Sequence, residues 1–244
     1  MDIQILHFYP DLMSLYGSYA NVSVLKRRLE QLGCTVTVTA VLPGQSADLS
    51  RADFLYMGAG TERAQKAALE DFSHYGETVR AAAADGCAML FAGNSMELLG
   101  ASITDSEGKR YEGIALAPFT SVQGQRRFVE DVYGHTDLYS DAVVGFMNKC
   151  STISGVETPL VTSMALGYGN EGEKMPEGFH QNNVFASELT GPLLVKNPRM
   201  LDAVTAAIFS RRSQPLPDPL PHDHWAEDGW AITARELKAR SEQT

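Results

Sequence analysis

The chain has 244 residues, of which 44% are hydrophobic, and its 30 acidic and 20 basic residues give a formal net charge of −10 at pH 7. This length and composition allow one domain with a sizeable core. The excess of negative charge repels phosphate backbones and anionic lipids, so it disfavours nucleic acids and membrane surfaces as partners.

Cysteine usage and the N-terminus indicate the compartment. Cys34, Cys87 and Cys150 are widely spaced and form no Cys-x-x-Cys pair, which argues against a disulfide framework and against a zinc site. The first residues lack the basic and apolar regions of a signal peptide, and no stretch approaches the roughly 20 apolar residues of a membrane span. We therefore expect a cytoplasmic protein with no metal and no other cofactor.

Strand and helix patterns alternate through the first hundred residues. In chain order the sequence predicts a strand over 3–8, a helix over 21–32 ended by Gly33, strands over 34–41 and 53–57, a helix over 62–85 with a break near 73–76, and a buried strand over 88–92. Such alternation favours a mainly parallel sheet covered on both faces. Ligands bind at the carboxyl ends of strands in these sheets, here at the glycine turns after residues 57 and 92.

The second half of the chain has a different texture. Shorter strand-like pieces fill residues 111–195, and we expect them to extend the same sheet in antiparallel fashion. A closing helix from Asn197 to Phe209 is followed by a proline-rich stretch. We divide the chain into a main domain over 1–212, a linker over 213–224, and a C-terminal helix over 225–244 that carries Trp225 and Trp230.

The segment from Met89 to Gly100 combines an apolar strand, a tight turn and an immediate helix. This pattern predicts a nucleophile elbow, in which the turn lifts one residue above the sheet and the next helix offers N–H groups to an oxyanion. Many doubly wound folds turn this way only for packing. The pattern alone therefore indicates a site without naming its chemistry.

The same segment resembles class I glutamine amidotransferases of the cobyric acid synthase and GatD type. There it reads Ile-Cys-Gly-Gly-Tyr-Gln, followed by two residues and a glycine. Aligned without gaps from Gly100 backwards, the nucleophilic cysteine of the family falls on Gly93. Its four neighbours fall on Asn94, Ser95, Met96 and Glu97.

Further motifs in family order extend this resemblance from residue 3 to about 210. The segments are Leu6–Gly17 with Asn21, Gly58–Glu62 with Gln65, the pair Arg126-Arg127, Val144–Asn148 with Lys149 where histidine is usual, Gly167–Asn170, Glu177-Gly178, and Ser187–Pro192. The last is similar to Thr-Tyr-Leu-His-Gly-Pro, which places the catalytic histidine of the family on Thr190. The resemblance implies that Arg127, Gly60 and Asn94 contact the substrate.

The resemblance also implies a fold and a function. The fold is flavodoxin-like, a three-layer α/β sandwich with a mixed, mainly parallel central sheet. The function is that of the glutaminase subunit of lipid II isoglutaminyl synthase. That subunit passes ammonia to a MurT-like Mur ligase, which amidates lipid II D-glutamate in peptidoglycan synthesis.

The two departures from the family fall on the residues that perform the chemistry. Glutamine hydrolysis requires a thiolate nucleophile and a histidine that acts as base and acid, and Gly93 and Thr190 supply neither. We therefore predict a degenerate site in a pseudo-enzyme subunit. Two alternatives stay open: an altered hydrolase using Ser95 or Cys150, and a non-catalytic protein that binds a carboxylate or an amino acid through Arg127. Ser95 is expected to be a helix N-cap.

Overall fold

The computed structural model describes residues 1–243. The strands are β1 (Asp2–Phe8), β2 (Thr35–Val41), β3 (Phe54–Met57), β4 (Ala88–Ala92), β5 (Ser102–Thr104), β6 (Arg110–Glu112), β7 (Thr120–Thr136), β8 (Tyr139–Ser154), β9 (Ser163–Leu166), β10 (Phe179–Gln181) and β11 (Val184–Ser187). The helices are α1 (Ala20–Gln31), α2 (Glu62–Phe72), α3 (Gly76–Ala84), α4 (Leu193–Lys196), α5 (Pro198–Arg211) and α6 (His224–Ser241).

A six-stranded central sheet has the strand order β10-β11-β4-β3-β1-β2. All neighbours in it are parallel except β10 and β11, which are antiparallel. Helices α2 and α3 pack on one face through residues such as Phe72 and Val79. Helices α1 and α5 pack on the other through residues such as Leu25 and Val204. The predicted three-layer α/β sandwich with a mixed, mainly parallel sheet is therefore confirmed.

A second sheet has the order β6-β5-β7-β8, with β9 paired to β7. The prediction that residues 111–195 extend the first sheet was therefore wrong for all but β10 and β11. The reason is that β7 and β8, of 17 and 16 residues, form one long antiparallel hairpin. The outer edge of β7 is taken by β5 and β9, so this hairpin builds a sheet of its own.

Helix α6 lies on the second sheet. Ala234 and Leu237 are buried against it, and the Trp230 Nε1–H donates to the Ala142 carbonyl at 2.9 Å. Trp225, on the same helix, is 76% exposed. The helix predicted over 225–244 runs from His224 to Ser241, and residue 244 lies outside the described residues. No helix within residues 1–243 is long and apolar enough to span a membrane.

The two tryptophans of α6 offer a matched test of this packing. Trp230→Phe is expected to lower the free energy of unfolding by about 1 kcal/mol, because it removes one hydrogen bond and leaves the Ala142 carbonyl without its donor. The melting temperature should fall by roughly 2–4 °C. Trp225→Phe should change it by less than about 1 °C, since the ring is mostly in solvent. Equal effects of the two substitutions, measured by calorimetry, would contradict this docking.

Candidate active site

The predicted elbow is present at the carboxyl end of β4. Gly93 has φ of +67°, in the region that glycine adopts without strain, and a 3-10 helix over Gly93–Leu99 follows directly. Ser95 does not cap this helix, so that prediction was wrong. Its hydroxyl donates to the Met57 and Ala92 carbonyls, both at 3.0 Å. With its Oγ committed and its side chain fully buried, Ser95 does not face the pocket as a nucleophile.

Gly93 and Thr190 lie side by side, as the motif alignment predicts. A Cβ built on Gly93 would stand 3.6 Å from the Thr190 Cγ2. The Thr190 hydroxyl donates to the Phe146 carbonyl at 3.1 Å, which ties it to β8. No titratable group therefore stands where the family places its base.

Ala59 crowds the same spot from the turn after β3. The Cβ built on Gly93 would lie 2.6 Å from the Ala59 Cβ and 3.3 Å from its Cα, closer than carbon atoms pack. The alanine methyl thus occupies space that any nucleophilic side chain at position 93 would need. The obstacle is rigid, because a Cβ moves only with its backbone.

Gly60 and Asn94, both predicted to contact substrate, are bonded to each other. The Gly60 N–H donates to Asn94 Oδ1 at 2.9 Å, and Asn94 Nδ2 donates to the Gly60 carbonyl at 2.9 Å. This pair engages the Gly60 N–H, which is therefore not free to donate to a substrate oxygen. Their role in substrate binding stays a prediction, and it would require a ligand to open this pair.

A pocket of about 250 Å³ opens in front of the elbow, and its lining includes Ala59, Gly60, Asn94, Arg127 and Thr190. The Arg127 guanidinium forms an ion pair with Glu62 at the pocket mouth and also donates to Asn148 Oδ1 at 2.9 Å. Burial alone would raise the pKa of Glu62, but the hydrogen bond from Arg127 and further contacts lower it overall. A ligand carboxylate that binds Arg127 would share the guanidinium with Glu62 and Asn148.

Cys150 lines the same pocket. Its pKa is raised to about 12, first by burial and then by the adjacent Glu62 carboxylate, whose Oε1 is 3.5 Å from the Sγ. The thiol is the unreactive form of cysteine. This environment disfavours Cys150 as a substitute nucleophile.

A buried polar cluster around Glu97 and Glu188 adjoins the pocket, and Glu97 belongs to the pocket lining. The Ser121 hydroxyl and the Gln123 amide donate to Glu97 Oε2, the latter at 3.3 Å. Burial raises the pKa of Glu97, and burial followed by the charge of Glu97 raises the pKa of Glu188 to about 8. Lys149, also buried, donates to the Gly169 carbonyl at 2.8 Å.

Sequence reasoning did not single out this cluster, although a signal was present. In the motif alignment, Glu97 stands for glutamine, Glu188 for tyrosine and Lys149 for histidine, so three charged residues replace side chains that are neutral or only partly ionised at neutral pH. Within the described part of the chain, no group of three or more His, Cys, Asp and Glu residues is arranged to hold a metal ion.

Two buried asparagines hold the loop that carries Thr190. The Asn21 amide donates to the Tyr56 hydroxyl at 3.0 Å, and its Oδ1 accepts from the Leu194 N–H at 2.8 Å. Asn197 exchanges two hydrogen bonds of 2.8 Å with the backbone of Val144. Asn21 of α1 and Asn197 before α5 therefore both hold the segment that follows Thr190 in place.

This fold and this elbow define a glutamine amidotransferase domain. The CobB/CobQ-like glutamine amidotransferase domain matches residues 4–198, and the chain belongs to that family. It is GatD-like: it is 30% identical over 226 residues to the lipid II isoglutaminyl synthase (glutamine-hydrolyzing) subunit GatD of Streptococcus pneumoniae, covering 91% of this chain and 86% of that protein.

A second relative and a solved structure agree with this assignment. The subunit of the same name from Staphylococcus aureus is 26% identical over 227 residues, covering 93% of this chain and 92% of that protein. The crystal structure of a glutamine amidotransferase matches with a TM-score of 0.51 at 15% identity, covering 83% of this chain and 98% of that one. At this identity the structure shows the likeness of fold only.

Proposed function

We propose that this chain is the GatD-like subunit of a lipid II isoglutaminyl synthase, that it pairs with a MurT-like Mur ligase in the cytoplasm, and that it has lost glutaminase activity. The likeness to two GatD subunits over more than nine-tenths of the chain supports the assembly. The observation that carries the loss of activity is the pairing of Gly93 with Thr190 at an intact elbow. Neither residue supplies a nucleophile or a base.

Two contacts add to this argument. Ala59 fills the space in front of Gly93, and Asn94 occupies the N–H of Gly60. Glutamine hydrolysis requires a nucleophile with room to attack and free donors for the oxyanion. The site therefore departs from a working glutaminase at the nucleophile and at the base, and one backbone N–H beside them is already engaged.

The second candidate is a non-catalytic subunit that binds a carboxylate or amino-acid metabolite. The pocket of about 250 Å³ with Arg127 in its lining favours it. The Glu62–Arg127 ion pair is partly exposed, so a ligand carboxylate would compete with Glu62 for the guanidinium at little cost.

The proposed function is tested by co-expressing the full chain with a MurT-like ligase from the same organism. We expect the two proteins to co-purify and the complex to amidate lipid II with an ammonium salt as nitrogen donor. With glutamine as donor, we expect ammonia release no higher than background, since loss of a nucleophile or base costs about 10⁴–10⁶ in kcat.

The active pneumococcal subunit serves as the positive control for ammonia release. Turnover of glutamine above background would refute the loss of activity, and its disappearance in Ser95→Ala or Cys150→Ala would identify the nucleophile. Failure to co-purify would refute the partnership and leave the binding protein as the remaining candidate, which calorimetric titration with amino acids then tests.

A further inference from the structure

We propose that a groove between helix α6 and strand β8 is the surface on which the ligase subunit docks, and that it receives a segment of the ligase in which an acidic side chain stands beside apolar ones. This inference rests on the proposed function, because it names the place where the two subunits meet. Four observations support it: an open apolar groove, a lysine without a partner, the position of the groove beside the pocket, and exposed apolar side chains around both.

The first observation is a groove of about 430 Å³ along helix α6, which we call the α6 groove. One wall is formed by Ala226, Gly229, Trp230 and Leu237, which are spaced by three or four positions and therefore share one face of the helix. Phe146 of β8 contributes to the other wall. The groove is thus lined mainly by apolar side chains, although it lies at the surface of the molecule.

Gly229 keeps the α6 groove open. A Cβ built on this residue would meet no atom within 4 Å, so another chain can approach the helix backbone closely at this point. Trp225 stands at the rim of the groove and is 76% exposed. Tryptophan is enriched among the residues that contribute most to protein–protein binding, and it is rarely left in solvent without a partner.

The second observation is a lysine in the α6 groove that has no partner. Lys196 is half-buried, and its Nζ forms no hydrogen bond and no ion pair with any of residues 1–243. Asp131, which also lines the groove, forms an ion pair with Arg240. A half-buried ammonium group among apolar side chains is stabilised by a carboxylate. The groove is therefore complementary to an acidic segment.

The third observation is the position of the α6 groove beside the pocket at the elbow. The Phe146 carbonyl, at the groove, accepts from the N–H of Thr190 at 2.8 Å and from its hydroxyl at 3.1 Å, and Thr190 lines the pocket. A Cβ built on Gly191 would stand 3.3 Å from the Tyr16 carbonyl oxygen and 4.0 Å from the Lys196 Nζ. The groove and the pocket mouth are therefore neighbours, separated by one turn of the chain.

This position selects the ligase as the occupant of the α6 groove. A ligase that takes ammonia from a glutaminase pocket has to sit at the mouth of that pocket, and a protein seated in the groove borders this mouth. A second copy of the chain is less favoured, because two molecules of net charge −10 repel each other and the groove calls for an acidic segment that must approach an acidic protein in either case only when it belongs to a specific partner.

The fourth observation is a strip of exposed apolar side chains that joins the pocket mouth to the groove. Leu15, Tyr16 and Tyr19 are between 38% and 58% exposed. Val195, also 38% exposed, lines both the α6 groove and a second groove beside α1. A specific protein interface uses about 20–30 residues on each side, and the α6 groove has 11 lining residues. The strip supplies the additional surface that such an interface needs.

Binding of the full chain to the MurT-like ligase from the same organism, measured by calorimetric titration, tests the α6 groove. Gly229→Gln fills the groove, Trp225→Ala removes its exposed ring and Lys196→Ala removes its charge. Each is expected to weaken binding by about tenfold or more. Ala239→Gln and Lys238→Ala change exposed positions of α6 outside the groove, and they should bind within about twofold of the parent.

Thermal unfolding shows whether the variants keep the fold. Gly229 and Trp225 are exposed, so their substitution is expected to change the melting temperature by no more than about 2 °C. Weaker binding with an unchanged melting temperature then reports on the contact itself. If Lys196→Ala does not fold, the other two variants decide the question.

Zero-length cross-linking with a carbodiimide gives a direct readout of the acidic segment. The reagent joins an amine to a carboxylate in contact with it, and mass spectrometry is expected to find Lys196 joined to an Asp or Glu of the ligase. A complex that forms without this link would overturn the acidic segment. A link from Lys196 to a second copy of this chain, or a dimer in sedimentation that Gly229→Gln dissociates, would overturn the ligase as occupant.

This inference and the proposed function fail in different ways. If the parent chain does not bind the ligase, the proposed partnership is refuted and the docking groove with it. If the parent binds and the three groove variants bind as tightly, the partnership stands and the α6 groove is refuted as its site. Detection of glutaminase activity has no bearing on either outcome.

Discussion

Gly93→Ala is expected to lower the free energy of unfolding by about 2–5 kcal/mol, although it adds a single methyl group. The added Cβ would stand 2.6 Å from the Ala59 Cβ, and overpacking of this kind costs about 1–3 kcal/mol. The φ of +67° at position 93 adds about 1–2 kcal/mol for any residue with a side chain. Urea unfolding with an unchanged m-value measures the sum.

A double-mutant cycle separates the two causes. Ala59→Gly in the Gly93→Ala background should recover about 1–3 kcal/mol, the part due to the clash, and leave the backbone strain. Ala59→Gly alone should cost up to about 1 kcal/mol. In the same way, Gly93→Cys should give a thiol that iodoacetamide alkylates readily only when residue 59 is glycine. A Gly93→Ala variant as stable as the parent would show that Ala59 is no obstacle.

Glu188→Gln is expected to raise the free energy of unfolding by about 2–4 kcal/mol at pH 8.5 and to leave it nearly unchanged at pH 4. Burial, with the charge of Glu97, raises the pKa of Glu188 to about 8, whereas the unfolded chain titrates near 4.3. Because the folded pKa is higher, the stability contributed by the protonated carboxyl is complete below about pH 4.3 and is lost as the pH rises through 8. The side chain introduced by Glu188→Gln cannot ionise, so the variant does not lose this stability as the pH rises.

The measurement is urea unfolding from pH 4 to 9 at constant ionic strength. The full shift would correspond to about 5 kcal/mol, and sharing of the proton with Glu97 reduces it. Glu70→Gln, on the exposed side of α2, is the matched control and should follow the parent curve. Parallel curves for Glu188→Gln and the parent would show that Glu188 is ionised at neutral pH.

Local sequence signals predicted the first half of the fold because that half is governed by local rules. Gly33 ends the first helical pattern with φ of +80°, and the buried strand over 88–92 matches β4 in both bounds. In the second half, alternation of side chains identifies a strand but not its partner. The pairing of β7 with β8 includes an irregularity between Gln123 and Phe128 that depends on both strands.

The site was predictable to a similar degree. Two motifs of one family predicted that Gly93 and Thr190 lie next to each other, because each motif determines the turn that carries its residue. The Asn94–Gly60 and Arg127–Glu62 pairs join residues 34 and 65 positions apart, and they depend on distances that no motif records. In the sequence, Glu97, Glu188 and Lys149 stood out only as departures from the family pattern. That they lie close together depends on the packing of three separate elements of the fold.

Asn21 and Asn197 fix the backbone around Thr190 through hydrogen bonds to backbone groups, whereas the atoms nearest to a side chain at position 93 belong to Ala59 and Thr190. Shape and reactivity are thus encoded by different residues in this domain. Substitutions can remove the reaction while the outline of the surface stays the same. The contour of a domain can in this way outlast changes in its reacting residues, and it then remains available for other uses.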